Sequence, residues 1–378
     1  MQNYLTFLFL LFFTMDIYAQ DHSWLPVQNA LSDQDFALAL KLMEDLPRSD
    51  RVLEKSAFCL YQLGEWKDAK VIYEKILESD SMHLQSHLYL GTIYTQESNL
   101  PKAVLHFRHI VDLDSSNTYY LKSLAAVYER ANLVRDAHAT YQKVHRLNPR
   151  DMSALLHLSS IWFDQKEYEL ADSFATLAYR LDTSNLQVIL TKARCSYSLK
   201  QYSEAVTFFK RTKGQIDLSP FYQKMLGYAY LQVDSLDQAI FVLSNLLYQE
   251  QSEYTYSYLA KAYALKEDWS RAIEFYELAV EAGLSTNLEQ YHLALAKLNE
   301  EHGKLRDVVI HFDEAFHYSG NPDYIFYKAQ AAENYYKDKQ VAVAQYQRYL
   351  QLSGTQATYG DFARDRIQIL KEYIHQSR

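Results

Sequence analysis

The chemically versatile residues of this 378-residue chain are 13 histidines, 47 carboxylates and 2 cysteines. Their densest grouping is His311-Phe312-Asp313-Glu314-Ala315-Phe316-His317. A helical metal site needs its ligands one turn apart on one face, as in His-Glu-x-x-His. His311 and His317 are six positions apart, off register for a shared ion, and His311 and Asp313 do not share a helix face. The stretch is expected as polar residues on the exposed side of a helix, and Glu300-Glu301-His302 as a solvated turn. No zinc helix, glycine-rich nucleotide loop, EF-hand loop or Gly-x-Ser-x-Gly elbow occurs. Cys59 and Cys195 occupy the same position of a repeated pattern four units apart, which is beyond disulfide reach in a stacked array. They are expected as buried small hydrophobes. The sequence therefore assigns no catalytic, cofactor-binding or metal-binding residue, and no cofactor.

Composition narrows the partners. A net charge of −9 argues against a nucleic-acid backbone, whose recognition needs clustered cations. With 48% hydrophobic residues there is enough apolar surface for a continuous core, and 33 tyrosines supply rigid, amphipathic area.

The elements that must carry any function are helices in pairs. In Thr118–Asp151, Leu121, Leu124, Ala125 and Tyr128 fall at i, i+3, i+4 and i+7, one face of an amphipathic helix. Leu133, Ala137, Tyr141 and Val144 form a second face. Two helices that cross closely need a small side chain at the contact and bulky ones around it, so the alanines mark where they touch. Ala69, Ala103, Ala137, Ala171, Ala205 and Ala239 recur every 34 residues, and Ala272, Val308 and Ala342 continue the ladder. A second small column runs through Ala57, Gly91, Ala125, Ser159, Ala193, Gly227, Ala260 and Ala296. Ser196, Asn299 and Glu333 interrupt the bulky column three positions later.

A 34-residue helical hairpin is the tetratricopeptide spacing. The chain resembles a tetratricopeptide-repeat protein over roughly residues 50–356. The resemblance implies an all-α fold, a right-handed α-solenoid of about nine hairpins in one solenoid. It also implies a peptide- or protein-binding groove lined by the first helices. Transferred position by position, the family's contact columns fall on Tyr119, Lys122, Arg130, Phe163, Arg194, Tyr197, Phe221, Lys224, Tyr228, Tyr254 and Lys261. Lysines and arginines there are expected to meet partner carboxylates, and aromatics to supply contact area. The clamp that holds chaperone C-termini needs Lys and Asn four apart; Lys122 is followed by Ala126 and Lys224 by Tyr228, which argues against that subtype.

The ends differ. Residues 1–19 resemble a cleavable export signal, with an apolar run Leu5–Phe13 too short to span a bilayer and a junction at Ala19-Gln20. The junction resembles those of Bacteroidota-type envelope proteins. No stable membrane span is expected after cleavage. Residues 20–49 are expected to hold a divergent half repeat, and residues 357–378 a capping helix that places Tyr359, Phe362, Leu370, Tyr373 and Ile374 on the last unit. The expected function is a non-catalytic interaction scaffold in the periplasm or cell envelope. The alternative is a structural or self-assembling component that binds through its ends or convex face.

Overall fold

A computed structural model describes residues 24–250, 252–283 and 287–376, and these contain helices and turns with no strand. The expected export signal lies outside the described residues. The chain divides into two compact units between Leu181 and Asp182. In the first unit, helices pair as α1 (24–32) with α2 (Phe36–Glu44), α3 (Asp50–Gln62) with α4 (Trp66–Ser79), and α5 (Leu84–Gln96) with α6 (Leu100–Leu113). Two more pairs follow, α7 (Thr118–Arg130) with α8 (Val134–Leu147), and α9 (Met152–Asp164) with α10 (Tyr168–Leu181). The second unit pairs α11 (Leu186–Ser198) with α12 (Tyr202–Arg211), α13 (Pro220–Gln232) with α14 (Leu236–Leu246), and α15 (Glu253–Leu265) with α16 (Trp269–Ala282). It continues with α17 (Leu288–Glu301) and α18 (Leu305–Ser319), then α19 (Asp323–Tyr335) and α20 (Gln340–Ser353), and ends in α21 (Gly360–Gln376).

Most hairpins start and turn by the same local chemistry. Ser49, Asn117, Asp151, Asn185 and Ser252 precede first helices, and their side chains accept hydrogen bonds from backbone N–H groups of the first turn. That satisfies donors which have no partner within the helix. The first helices α3 to α17 end on a left-handed residue five positions before the ladder, Gly64, Ser98, Asn132, Lys166, Lys200, Asp234, Glu267 and Gly303, whereas α19 ends on extended backbone at Tyr336. The following N–H reaches back to close the helix, as in Leu133 N–H to Tyr128 C=O at 2.8 Å and Gln201 N–H to Ser196 C=O at 2.8 Å. For the six non-glycine residues this conformation costs about 1 kcal/mol each, offset by the packing that it directs.

The ladder alanines are fully buried, as are Ala57, Ala125 and Ala193 opposite them. The residue four positions after each ladder alanine lies over the small residue of the first helix. A methyl group added to Gly91 would sit 2.9 Å from the Phe107 ring, and one added to Gly227 would sit 2.5 Å from Leu243 Cδ2. Cys59 and Cys195 are buried free thiols, as their shared column implied; burial pushes the Cys59 thiol up to about 11.

Both ends depart from expectation. The N-terminal segment holds two helices rather than one. Gln34 takes the left-handed turn conformation, Asp35 N–H closes on Ala30 C=O at 2.8 Å, and Ala39 is a buried counterpart of the ladder. Trp24, Val27, Ala30, Met43 and Cys59 share one apolar cluster with it. At the other end, α21 packs through Ala363, Ile367, Leu370 and Ile374. Phe362 meets Phe326 of the last unit edge-on at 5.6 Å, as expected, while Tyr373 is 56% exposed. Arg366 grips Glu333 with its guanidinium, Nε lying 2.9 Å from Oε2. The carboxylate that interrupts the bulky column is thus the anchor of the last helix.

Candidate protein-binding surface

The expected contact residues fall into both units, and each unit forms its own surface. In the second unit, Tyr197 of α11, Tyr202 of α12, Tyr228 of α13 and Tyr258 of α15 form a continuous cluster. Ring centroids are 5.9 Å apart for Tyr197–Tyr228, 5.8 Å for Tyr202–Tyr228 and 4.6 Å for Tyr228–Tyr258. Edge-on and tilted geometries match the ring quadrupole. Tyr254 adjoins Tyr258 at 6.4 Å. Burial raises the hydroxyls of Tyr197, Tyr202 and Tyr258, the last to about 12, with Tyr228 adding to the shift. Tyr254 is 44% exposed; Phe221, seven positions before Tyr228 on α13, is 58% exposed, and Lys261, seven after Tyr254 on α15, is exposed, so spacing puts each on the helix face of a cluster tyrosine.

Two of the expected cations are engaged within the chain. Lys122 Nζ lies 2.9 Å from Asp151 Oδ2, and Asp151 also caps α9 through the Ala154 N–H. Lys224 pairs with Glu250, whose carboxyl is held below its usual range chiefly by that hydrogen bond. The cause is the repeat itself: the loop that starts the next hairpin brings an acidic residue back over the preceding first helix. These lysines join adjacent hairpins.

In the first unit the expected residues are more dispersed. Tyr119 is exposed and edge-on to Tyr120 at 5.9 Å, Arg130 is exposed, and Phe163 packs 5.1 Å from Tyr168. A tighter aromatic set lies nearer the N-terminus, where Tyr89 contacts Phe58, Tyr61 and Tyr73 at 5.9, 4.8 and 5.2 Å.

Residues 123–185 match the family model described as "Tetratricopeptide repeat". The repeats are tetratricopeptide repeats. Two curated proteins are similar. Superkiller protein 3 of Schizosaccharomyces pombe is 22% identical over 165 residues, 42% of this chain and 12% of that protein. BBSome complex member BBS4 of Bos taurus is 22% identical over 242 residues, 62% of this chain and 46% of that protein. The chain therefore spans less than half the length of the curated relatives it matches. The solved C-terminal part of a repeat-containing protein from Cytophaga hutchinsonii matches with 15% identity, 63% of this chain and 97% of that one, at a TM-score of 0.49.

Tetratricopeptide contact columns transferred from sequence bring Tyr197, Tyr228 and Tyr254 into one cluster but omit Tyr202 and Tyr258, which complete it. Tyr258 lies four positions after Tyr254, on the same helix face, and that i, i+4 spacing was the available signal. Reading the first-helix columns alone also missed Tyr202, because it belongs to a second helix. Arg194 is part-buried on α11. Among the described residues no group of three or more His, Cys, Asp or Glu is arranged to hold a metal ion, and no helix is long and apolar enough to cross a membrane.

His311 is a correction. It is not on an exposed face: its Nδ1 lies 3.1 Å from His292 Nδ1 on α17. Asp313 pairs with Lys328 at 2.6 Å, so the local cluster of polar residues is consumed by packing between helices.

Proposed function

We propose that this chain is a non-catalytic scaffold that holds a peptide segment of a partner protein on the first helices of its second unit. The observation that supports it best is the tyrosine cluster of α11, α12, α13 and α15, with Tyr254 exposed at its edge and the exposed Phe221 and Lys261 spaced onto the same faces of α13 and α15. Large rings on rigid helices lose little conformational entropy on binding, and their hydroxyls serve backbone amides. Lys261 adds selectivity for a carboxylate. The N-terminal apolar run and Ala19-Gln20 junction support placement of this scaffold in the periplasm or cell envelope.

The test is affinity capture from envelope extract with residues 20–378, beside a Phe221→Ala, Tyr254→Ala, Lys261→Glu triple variant. All three side chains are exposed, so helicity should be unchanged by circular dichroism. A discrete partner retained by the parent chain and lost by the variant is the expected result. A partner held equally by both chains would remove this surface from consideration.

A further inference from the structure

The second unit also carries a cleft that the tyrosine surface does not use. Helix α12 runs for 10 residues, whereas α10 and α16 each run for 14. The missing turn is replaced by the connection 212–219, with Gly214 in the left-handed conformation. Between this connection, the end of α12, α13 and α14 a cleft of about 420 Å³ opens. Its floor is Phe209, Leu226 and Tyr230, and its wall is Phe241 and Val242 of α14. Gln238, Phe241, Val242 and Asn245 are spaced i, i+3, i+4, i+7, so α14 turns a whole helical stripe toward the opening. Phe241 is 69% exposed there.

We propose that this cleft docks an amphipathic helix of a partner protein, one with two bulky apolar side chains a turn apart and carboxylates flanking them. The lining argues for a helix, because the i, i+3, i+4, i+7 stripe of α14 is the ridge against which a second helix packs. The charge argues for acidic flanks. Lys210, which stands 5.8 Å over the Tyr230 ring, and Lys213 both line the cleft against the single acid Asp217, within a chain whose net charge is −9. Gln238 and Asn245 at either end of the stripe offer amides to the rim of the docked helix.

The probe is a displayed library of 16-residue helix-forming peptides with Leu or Phe at i and i+4 and either Glu or Lys at the flanks. Binding of the selected peptides to the full chain is measured by fluorescence anisotropy. Glu-flanked apolar peptides should be selected. Phe241→Ser should weaken them at least tenfold, and Lys213→Glu should invert the preference toward Lys flanks. The Phe221→Ala, Tyr254→Ala, Lys261→Glu variant should bind them as the parent does, which separates this site from the tyrosine surface. Selection of no peptide, of Lys-flanked peptides by the parent chain, or of peptides indifferent to Phe241→Ser would overturn the proposal. Sedimentation that shows a dimer abolished by Phe241→Ser would assign the cleft to a second copy of this chain instead.

Discussion

Gly227 shows how strictly one position is set by its neighbour. Replacing a mid-helix glycine by alanine normally stabilises a helix by about 1 kcal/mol. Here the new methyl would lie 2.5 Å from Leu243 Cδ2, and Leu243 is fully buried with nowhere to move. Overpacking of this kind costs about 1–3 kcal/mol, so the clash outweighs the propensity. Gly227→Ala should lower the urea midpoint of the second unit, and adding Leu243→Ala should recover part of the loss; a Gly227→Ala chain as stable as the parent would refute the packing account. The small column was legible in sequence because close crossing admits few residue types. The lysines were not. Lys122 and Lys224 sit in columns that suit ligand contact, but their acidic partners lie 29 and 26 residues later, and spacing on one helix does not reveal a loop returning over it.

At the scale of the element, two hairpins carry the same histidine device. His87 and His106 join α5 to α6, and His292 and His311 join α17 to α18, each pair 19 residues apart in matching repeat columns. His87 Nε2 faces the Ser81 carbonyl at 3.0 Å, so it carries the proton and leaves Nδ1 as acceptor for His106 Nδ1–H at 2.9 Å. His87 must stay neutral to accept that bond, because a proton on its Nδ1 would set two N–H groups against each other. Burial, with the neighbouring ring adding to it, lowers His106 and His311 to about 4, and burial lowers His87 and His292 as well. The unfolded chain binds protons near pH 6.5 and the folded one only near 4, so stability is complete above 6.5 and falls as pH drops through that window. In a dry interior such a shift is worth about 3 kcal/mol per ring, and solvent screening of half-buried rings cuts this to roughly 1–2. The urea midpoint should therefore be lower at pH 5 than at pH 7.5, and His106→Asn with His311→Asn should flatten the difference. An unchanged slope in that double variant would show that other groups govern acid sensitivity. Periodicity revealed the hairpins but hid these pairs, because each joins faces of two different helices. It also hid the N-terminal hairpin, whose step to the next ladder alanine is 30 residues instead of 34. At α21, the stripe counted from Tyr359 and Phe362 does meet Phe326 of the last unit, but it missed Ala363, whose small side chain lets the helix approach.

For the molecule as a whole, the governing feature is that packing is sequential. Within each unit a helix packs on the helices before and after it, and in the second unit the first helices α11, α13 and α15 also touch their neighbours in the series. Lys70–Glu97, Lys122–Asp151 and Lys224–Glu250 reinforce the same nearest-neighbour order. Stability in such an array is a sum of local hairpin and interface energies rather than the property of one shared core. The mechanical consequence is compliance. A pull on the two ends of a unit loads each hairpin in series, and no distant contact shares the load, so the chain should lengthen hairpin by hairpin. Each 34-residue repeat would release about 120 Å of extended chain. Force spectroscopy should record a sawtooth of that spacing at modest force, with ready recoil on relaxation because local contacts re-form quickly. A single rip that frees a whole unit at once would contradict it. A scaffold built this way behaves as an extensible spring that can keep hold of a partner while its own length changes.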